Sequence, residues 1–221
     1  MRIKFCGFTN QTDVLESLSL DIDYLGFIVA VRSSKRTISL TEAVSLASLV
    51  KTESSKQTVA VVVDPDQLLV EELLASGVFD VVQLHGQELI ELCQQIKSAA
   101  EVWKAVTVDF SLEAIKSYAE IVDKLVFDLP KQSSGQVDPV YRLKFYQQLT
   151  ALGKPVFLAG GLDANNVYEL LITLQPWGID VASGLESLPG KKDQTKTQQF
   201  LAEVRRARQA LENQIWLGSC C

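Results

Sequence analysis

The chain has 221 residues, of which 47% are hydrophobic and 22% are charged, as in an ordinary globular protein. Its 21 basic and 27 acidic side chains leave a formal charge of −6, which argues against nucleic acid as a partner. No apolar run is long enough to span a membrane, and Lys4 leads into a strand rather than into a signal sequence. These features predict a cytoplasmic enzyme or binding protein with no membrane partner.

The four cysteines are Cys6, Cys93, Cys220 and Cys221. They lack the CxxC spacing of a zinc site and the pattern of a disulfide framework, so we expect no bound metal. Cys220 and Cys221 stand at the end of the chain, where we expect a frayed tail without a role. Cys6 differs because it stands beside a glycine where the first predicted strand ends.

Hydrophobic periodicity predicts eight strands alternating with helices. The predicted strands cover residues 2–6, 23–29, 57–63, 80–85, 101–108, 123–128, 154–159 and 178–183. The predicted helices include residues 41–51, 67–76, 87–99, 111–121, 140–152, 164–174 and 195–213. Eight such units predict one domain, a closed (β/α)8 TIM barrel over residues 1–221. The alternative is an open doubly wound sheet, which usually has fewer strands and a GxGxxG loop that KFCGFTN does not match.

Four predicted strands interrupt their apolar run with polar residues, namely Lys4 and Cys6, Gln83 and His85, Lys104, and Asp128. Successive side chains on a strand point to opposite faces, so these polar side chains point into the barrel if the apolar ones pack under helices. Cys6, His85 and Asp128 fall at the carboxyl ends of their strands, where barrel enzymes carry their chemistry. Lys4 lies deeper. The first and eighth strands are neighbours in a closed barrel, so we expect Lys4 to pair with Asp180.

Small residues follow the last two predicted strands. Gly160 and Gly161 lead from the seventh strand into a helix, and Ser183 and Gly184 stand at the turn after the eighth. Such turns let the backbone approach a ligand closely, and the N–H groups at a following helix start attract anions. Because these loops are the recurrent phosphate site of the fold, the pattern predicts phosphate binding rather than plain turns.

Together these motifs resemble the phosphoribosylanthranilate isomerase family along nearly the whole chain up to the last helix. The resemblance rests on KFCGFT, DYLGFIV followed by SKR, VQLHG, WKAV, VFD, LAGGL with NNV, and IDVASGLE with PGKKD. Each motif is short, but all of them occur in order and with matching spacing. The resemblance implies an Amadori rearrangement of N-(5-phosphoribosyl)anthranilate to 1-(2-carboxyphenylamino)-1-deoxyribulose 5-phosphate in tryptophan biosynthesis, without a cofactor.

The resemblance also implies roles for three side chains. Asp128 would be the general acid that protonates the furanose ring oxygen, and Cys6 the general base that removes the C2′ proton. Arg36, from the SKR stretch, would hold the anthranilate end, because a guanidinium binds a carboxylate bidentately. A base of this kind must be a thiolate, which nearby positive charge favours. The one histidine, His85, is not assigned as acid or base and is expected to pack or to form hydrogen bonds.

The chain departs from the family pattern in two loops. Asp64 stands where many members carry asparagine, which adds a negative charge near the barrel mouth. After the sixth predicted strand, the stretch QSSG ending at Gly135 replaces a GGTG-like stretch, and the segment to Asp138 looks shortened. We expect these changes to affect loop geometry and turnover rather than the acid and the base.

Two other functions stay open at this point. An indole-glycerol-phosphate synthase would call for an inward lysine as general acid, for which Lys104 is the candidate, although we expect a structural pairing of Lys104 inside the barrel. A phospho-ligand-binding barrel without catalysis would keep the glycine turns and could discard Cys6 or Asp128. In either case the expected partner is a small phosphorylated molecule, and a monomer or a homodimer is compatible with the sequence.

Overall fold

Strands and helices alternate along the chain in the computed structural model, which describes residues 1–129 and 139–218. The strands are β1 (Arg2–Cys6), β2 (Tyr24–Val29), β3 (Thr37–Ile38), β4 (Gln57–Val62), β5 (Val81–Leu84), β6 (Glu101–Val106), β7 (Lys124–Asp128), β8 (Val156–Ala159), β9 (Gly178–Val181), β10 (Glu186–Leu188) and β11 (Lys191–Lys192). The helices are α1 (Gln11–Leu18), α2 (Leu40–Glu53), α3 (Gln67–Ala75), α4 (Ile90–Lys97), α5 (Leu112–Ile121), α6 (Pro139–Thr150), α7 (Val167–Leu174) and α8 (Gln194–Gly218).

Eight of the strands close into a ring. The order is β1, β2, β4, β5, β6, β7, β8 and β9, and β9 pairs again with β1, every pair being parallel. β3 adds to β2 from outside the ring, while β10 and β11 form a separate antiparallel hairpin. The predicted TIM barrel is therefore confirmed. An open sheet is excluded because β1 has a partner on both sides.

The apolar side chains of the barrel strands form two layers. The larger layer lies between strands and helices and includes Ile3 and Phe5 of β1. The smaller layer fills the barrel interior near the amino ends of the strands, where Trp103 stacks on Phe157 with ring centroids 4.5 Å apart and Tyr24 meets both rings edge-on. Because these aromatic rings fill the interior at the amino ends of the strands, the polar side chains inside the barrel lie towards the carboxyl ends.

Side-chain caps begin several of the helices that the sequence predicts. Ser39 and Glu42 form a reciprocal capping box at α2, and Asp66 and Ser111 accept hydrogen bonds from the first turns of α3 and α5. No side chain caps α4, which begins at Ile90 rather than at residue 87 as predicted. The residues just before α4 instead bind the neighbouring loop after β4.

Other boundaries differ slightly from the prediction. β9 ends at Val181, two residues early, because Ser183–Leu185 form a 3-10 turn. The short strands β3, β10 and β11 were not predicted, since two or three residues show no periodicity. Residues 219–221, which include Cys220 and Cys221, lie outside the described residues, as do Gly135 and Asp138. Within the described ranges, no helix combines the length and hydropathy needed to cross a bilayer.

Candidate active site

Lys4 and Asp180 form a buried ion pair inside the barrel. The register of β1 and β9 places the two residues side by side, with Lys4 Nζ 2.7 Å from Asp180 Oδ2. The Lys4 side chain is fully buried and that of Asp180 nearly so. Burial alone would lower the pKa of Lys4, but Asp180 and Cys6 outweigh it and raise the pKa, so the amine stays charged. The predicted pairing of Lys4 with Asp180 is confirmed.

Cys6 follows Lys4 by two residues and lies at the carboxyl end of β1. Its side chain is buried, and the missing Cβ of Gly26 on β2 makes room for it, because a Cβ there would stand 2.8 Å from Cys6 Sγ and 3.0 Å from Lys4 Nζ. Burial raises the pKa of the Cys6 thiol, and the charges of Lys4 and Lys192 oppose this rise without cancelling it. The structure thus places two cations at the candidate base.

Arg36 reaches the same region from the loop between β2 and β3. Its chain packs on Gly7, whose φ of +80° and lack of a side chain leave space for it. The guanidinium forms a bidentate pair with Glu186 of β10, at 2.6 to 2.9 Å. Burial would raise the pKa of Glu186, but the hydrogen bond from Arg36 and the charge of Lys192 lower it overall.

Lys192 of β11 completes the group. Its Nζ donates to the backbone carbonyl of Cys6 at 2.6 Å and lies 3.2 Å from Glu186 Oε1. Burial lowers the pKa of Lys192 more than its pairing with Glu186 raises it. We call this set the Cys6 cluster: Lys4, Cys6, Arg36, Asp180, Glu186 and Lys192. The sequence predicts no role for Glu186 and Lys192, although they stand in the stretches IDVASGLE and PGKKD.

Asp128 lies three strands away from β1 around the ring, at the carboxyl end of β7. Its Oδ2 is 3.1 Å from Nε2 of His85, which follows β5, and both side chains are partly exposed. A Cβ at Gly160 would stand only 2.7 Å from Asp128 Oδ1. We call these three residues the Asp128 cluster. The expectation that His85 forms hydrogen bonds is confirmed, and its partner is the candidate acid.

The two predicted phosphate turns lie against each other. Gly160 and Gly161 adopt positive φ angles of 87° and 64°, which favour glycine. A Cβ at Gly184 would overlap the carbonyl of Leu162 and approach Asp163 Cβ to 2.9 Å, so the turn after β9 packs on the loop after β8. No described residue accepts a hydrogen bond from the N–H of Gly161. The N–H of Gly161 is therefore available to an anionic ligand.

Lys104 does not point into the barrel, contrary to the expectation. It shares the outer face of β6 with Val102 and Val106, where its Nζ binds Glu88 Oε2 at 2.9 Å and the carbonyl of Gly86 at 2.7 Å. The pair is fully buried between strands and helices. The alternation places Trp103 inward instead, since successive side chains change faces. The structural pairing of Lys104 is thus confirmed, but its location inside the barrel was wrong.

Asp64, the departure after β4, has a structural partner at the rim. Its Oδ1 accepts from the backbone N–H of Gln87 at 2.7 Å, and its φ is +43°, a conformation that aspartate and asparagine tolerate. The added carboxylate therefore joins the loops after β4 and β5. Among the described residues, no group of three or more histidine, cysteine or acidic side chains has the arrangement of a metal site.

Comparisons with known proteins point to one family. The family model for N-(5′-phosphoribosyl)anthranilate isomerase matches residues 3–203. The N-(5′-phosphoribosyl)anthranilate isomerase of Streptococcus pneumoniae (strain Hungary19A-6) is 34% identical over 204 residues, covering 92% of this chain and 96% of that protein.

Solved structures give the same result. Monomers generated from the dimeric phosphoribosylanthranilate isomerase of Thermotoga maritima superpose with a TM-score of 0.77 at 31% identity, covering 93% of this chain and 98% of theirs. A phosphoribosylanthranilate isomerase in complex with reduced 1-(o-carboxyphenylamino)-1-deoxyribulose 5-phosphate has a TM-score of 0.77 at 30% identity, covering 93% and 98%.

Proposed function

The chain belongs to the N-(5′-phosphoribosyl)anthranilate isomerase family, the isomerases of tryptophan biosynthesis, and from that premise we propose that Asp128 and Cys6 are its general acid and general base. The proposed reaction is the Amadori rearrangement of N-(5-phosphoribosyl)anthranilate to 1-(2-carboxyphenylamino)-1-deoxyribulose 5-phosphate. It is an intramolecular rearrangement with no net oxidation or reduction, so the proposal includes no cofactor.

One observation carries the assignment of the acid. The carboxylate of Asp128 lies beside Gly160, the first residue of the proposed phosphate turn. In the substrate the furanose ring oxygen is four bonds from the phosphorus atom, so a phosphate held at this turn keeps the ring oxygen near its anchor. An acid that protonates this oxygen must therefore stand next to the phosphate turn, where Asp128 stands.

The proposed steps begin at the ring oxygen. Protonated Asp128 donates its proton there, the C1′–O bond breaks, and the anthranilate nitrogen forms a Schiff base with C1′. The Cys6 thiolate then takes the proton from C2′, and the electron pair moves towards the nitrogen to give an enolamine. Loss of the C2′ hydroxyl proton and protonation of C1′ give the ketone. The proton that Cys6 has taken and the one that Asp128 has given are then exchanged with solvent, so atoms and charges balance over the cycle.

Arg36 is proposed to bind the anthranilate carboxylate. Its Nε and one terminal nitrogen are held by Glu186, which fixes the guanidinium plane within the Cys6 cluster. A planar group fixed in this way can offer its other donors to a carboxylate without losing further side-chain entropy. Gly160, Gly161, Ser183 and Gly184 are proposed to bind the phosphate through backbone N–H groups. The related isomerase that binds a reduced carboxyphenylamino-deoxyribulose phosphate supports this substrate class.

The two alternative functions receive less support. An indole-glycerol-phosphate synthase would need an inward lysine, but Lys104 faces the helices and is paired with Glu88. A barrel that only binds a phosphorylated ligand would not need a buried thiol beside two cations or an acid beside the phosphate turn. We therefore propose catalysis rather than binding alone.

The experiment follows the anthranilate fluorescence of phosphoribosylanthranilate generated in situ. We expect Cys6→Ala and Asp128→Asn each to lower kcat by about 10²- to 10⁴-fold, the usual contribution of a general acid or base. Circular dichroism shows whether each variant is folded. Near-wild-type turnover in either folded variant would refute the role of that residue.

Matched controls come from the same chain. Cys93→Ala removes a buried thiol far from the rim, and Asp109→Asn removes an exposed carboxylate from the loop after β6. We expect both to retain turnover. A folded wild type that binds a substrate analogue but does not exceed spontaneous decay would support the binding protein instead.

A further inference from the structure

Lys4 has no role in the steps above, yet its ammonium lies between the candidate base and a buried carboxylate. Nζ is 2.7 Å from Asp180 Oδ2, and the side chains of Lys4 and Cys6 lie on the same face of β1, where both border Gly26. Gly26 on β2 keeps the space beside Nζ and Sγ free of a side chain. A buried lysine paired only for stability would not need a nucleophilic sulfur as its second partner.

We propose that Lys4 is a positioning residue for the isomerisation: its buried ammonium, held by Asp180, stabilises the thiolate of Cys6 and so determines what fraction of the enzyme carries an active base. The inference rests on the proposed role of Cys6 and adds to it the group that produces the thiolate. Lys4 acts through Cys6 and transfers no proton itself.

The other charges around Cys6 do not replace Lys4. Lys192 and Arg36 also favour a negative sulfur, but both are bound to Glu186, which neutralises part of their charge. Asp180 disfavours the thiolate directly. Oδ1 of Asp180 is buried and has no hydrogen-bond partner among the described residues. Oδ2 of Asp180 is the oxygen that binds Lys4. Among these groups, Lys4 exerts the strongest attraction on the sulfur.

The proposal predicts effects of opposite sign on the two members of one ion pair. Lys4→Met removes the attraction and leaves Asp180 to repel the thiolate, so Cys6 should ionise at higher pH. Asp180→Asn removes the repulsion and leaves Lys4, so Cys6 should ionise at lower pH. If the pair were only structural, both variants would loosen the barrel and move Cys6 reactivity in the same direction.

The experiment measures the rate at which iodoacetamide alkylates Cys6, from pH 6 to pH 10, in the full-length chain. Cys93, Cys220 and Cys221 are replaced by alanine so that one thiol remains. At neutral pH we expect Lys4→Met to slow alkylation at least ~10-fold and Asp180→Asn to speed it severalfold, since one pKa unit changes the thiolate fraction tenfold. In Lys4→Met, kcat should fall with little change in KM and recover as the pH rises.

A second variant covers the case in which Lys4→Met leaves Asp180 uncompensated and does not fold. The double variant Lys4→Met with Asp180→Asn removes both charges together, an exchange that buried pairs often tolerate. We expect its Cys6 to react at least ~10-fold more slowly than that of Asp180→Asn alone. Equal rates in these two variants, or shifts of the same sign in the two single variants, would overturn the inference.

The alkylation readout separates this inference from the proposed function. A wild type without isomerase activity, whose alkylation profile nevertheless responds to Lys4 and Asp180 as described, would refute the function and leave the coupling intact. If the wild type is active but Lys4→Met has the same alkylation profile as the wild type, the coupling is refuted and the function is left intact.

Discussion

Arg36 shows how a single residue depends on partners far along the chain. Its guanidinium is held by Glu186, 150 residues away, and its stem lies on Gly7. The neighbouring Arg32 and Lys35 are exposed and lack these contacts. Of the basic run in this loop, therefore, the structure orients Arg36 towards the barrel mouth.

We predict that Arg36→Lys raises KM for phosphoribosylanthranilate at least ~10-fold, because a lysine cannot form the two-pronged contact that a guanidinium makes with a carboxylate. Steady-state kinetics in the fluorescence assay measure the change. Arg32→Ala in the same loop is the control, and we expect its KM to match the wild type. An unchanged KM in Arg36→Lys would remove Arg36 from the binding site.

The candidate base and the candidate acid have different neighbours. Cys6 lies among cations, whereas Asp128 has His85 and a glycine turn for neighbours. A histidine within hydrogen-bond distance can hold a carboxyl group in one orientation, which is the role we expect for His85. The two candidate catalytic groups thus occupy different electrostatic surroundings on one rim.

At the scale of elements, the turn after β8 combines two constraints at Gly160. Its φ of +87° disfavours any side chain, and a Cβ would stand 2.5 Å from the backbone nitrogen of Leu129 and 2.7 Å from Asp128 Oδ1. A larger residue must therefore displace the end of β7, and with it the candidate acid.

We predict that Gly160→Ala lowers kcat/KM at least ~100-fold, through misplacement of both the phosphate turn and Asp128. The control is Gly153→Ala, because Gly153 has a similar φ of +73° but open space around its missing Cβ. That variant should lose only about 1 kcal/mol of stability and keep its activity. Equal activity losses in the two variants would show that backbone strain alone is responsible.

The prediction for Lys104 was wrong about which face of β6 this residue occupies. Strand β6 carries one lysine between two apolar neighbours, and sequence alone does not say which set faces the barrel axis. Burial of Trp103 in the interior decides the question, because a large ring fills the barrel better than a charged chain. Lys104 then meets Glu88 outside the ring, where the carbonyl of Gly86 also accepts a hydrogen bond.

At the scale of the whole molecule, the helix layer contains a thiol whose ionisation is coupled to folding. Cys93 of α4 is fully buried, and burial raises its pKa from 9.0 to about 11. The unfolded chain loses this proton at lower pH than the folded chain. The stabilisation from Cys93 is therefore complete below pH 9 and is lost as the pH rises towards 11.

We predict that wild type loses about 1 kcal/mol more stability than Cys93→Ala between pH 8 and pH 10, given the shift in pKa. Urea unfolding at each pH, followed by Trp fluorescence and by circular dichroism, measures the difference. Coincident transitions of the two signals would show that unfolding is two-state, which this comparison of stabilities requires. A difference between the two proteins that does not vary with pH would contradict the coupling.

The sequence by itself determined the barrel, the approximate positions of its strands and the candidate groups near their carboxyl ends. Strand and helix periods, capping residues and glycine turns are local signals, and strand order follows from chain order in a closed ring. The first and last barrel strands, β1 and β9, must be neighbours in such a ring, so the Lys4–Asp180 pair could be predicted.

Only the tertiary structure decided which charges surround each group. Glu186 and Lys192 join Arg36 and Cys6 across most of the chain length, and His85 meets Asp128 across β6. Such contacts depend on loop paths and side-chain directions at the rim, which leave no periodic trace in the sequence. Packing decided which face of β6 Lys104 occupies. An apolar side chain fills the barrel interior without burying a charge there, so Trp103 points inward and Lys104 points outward.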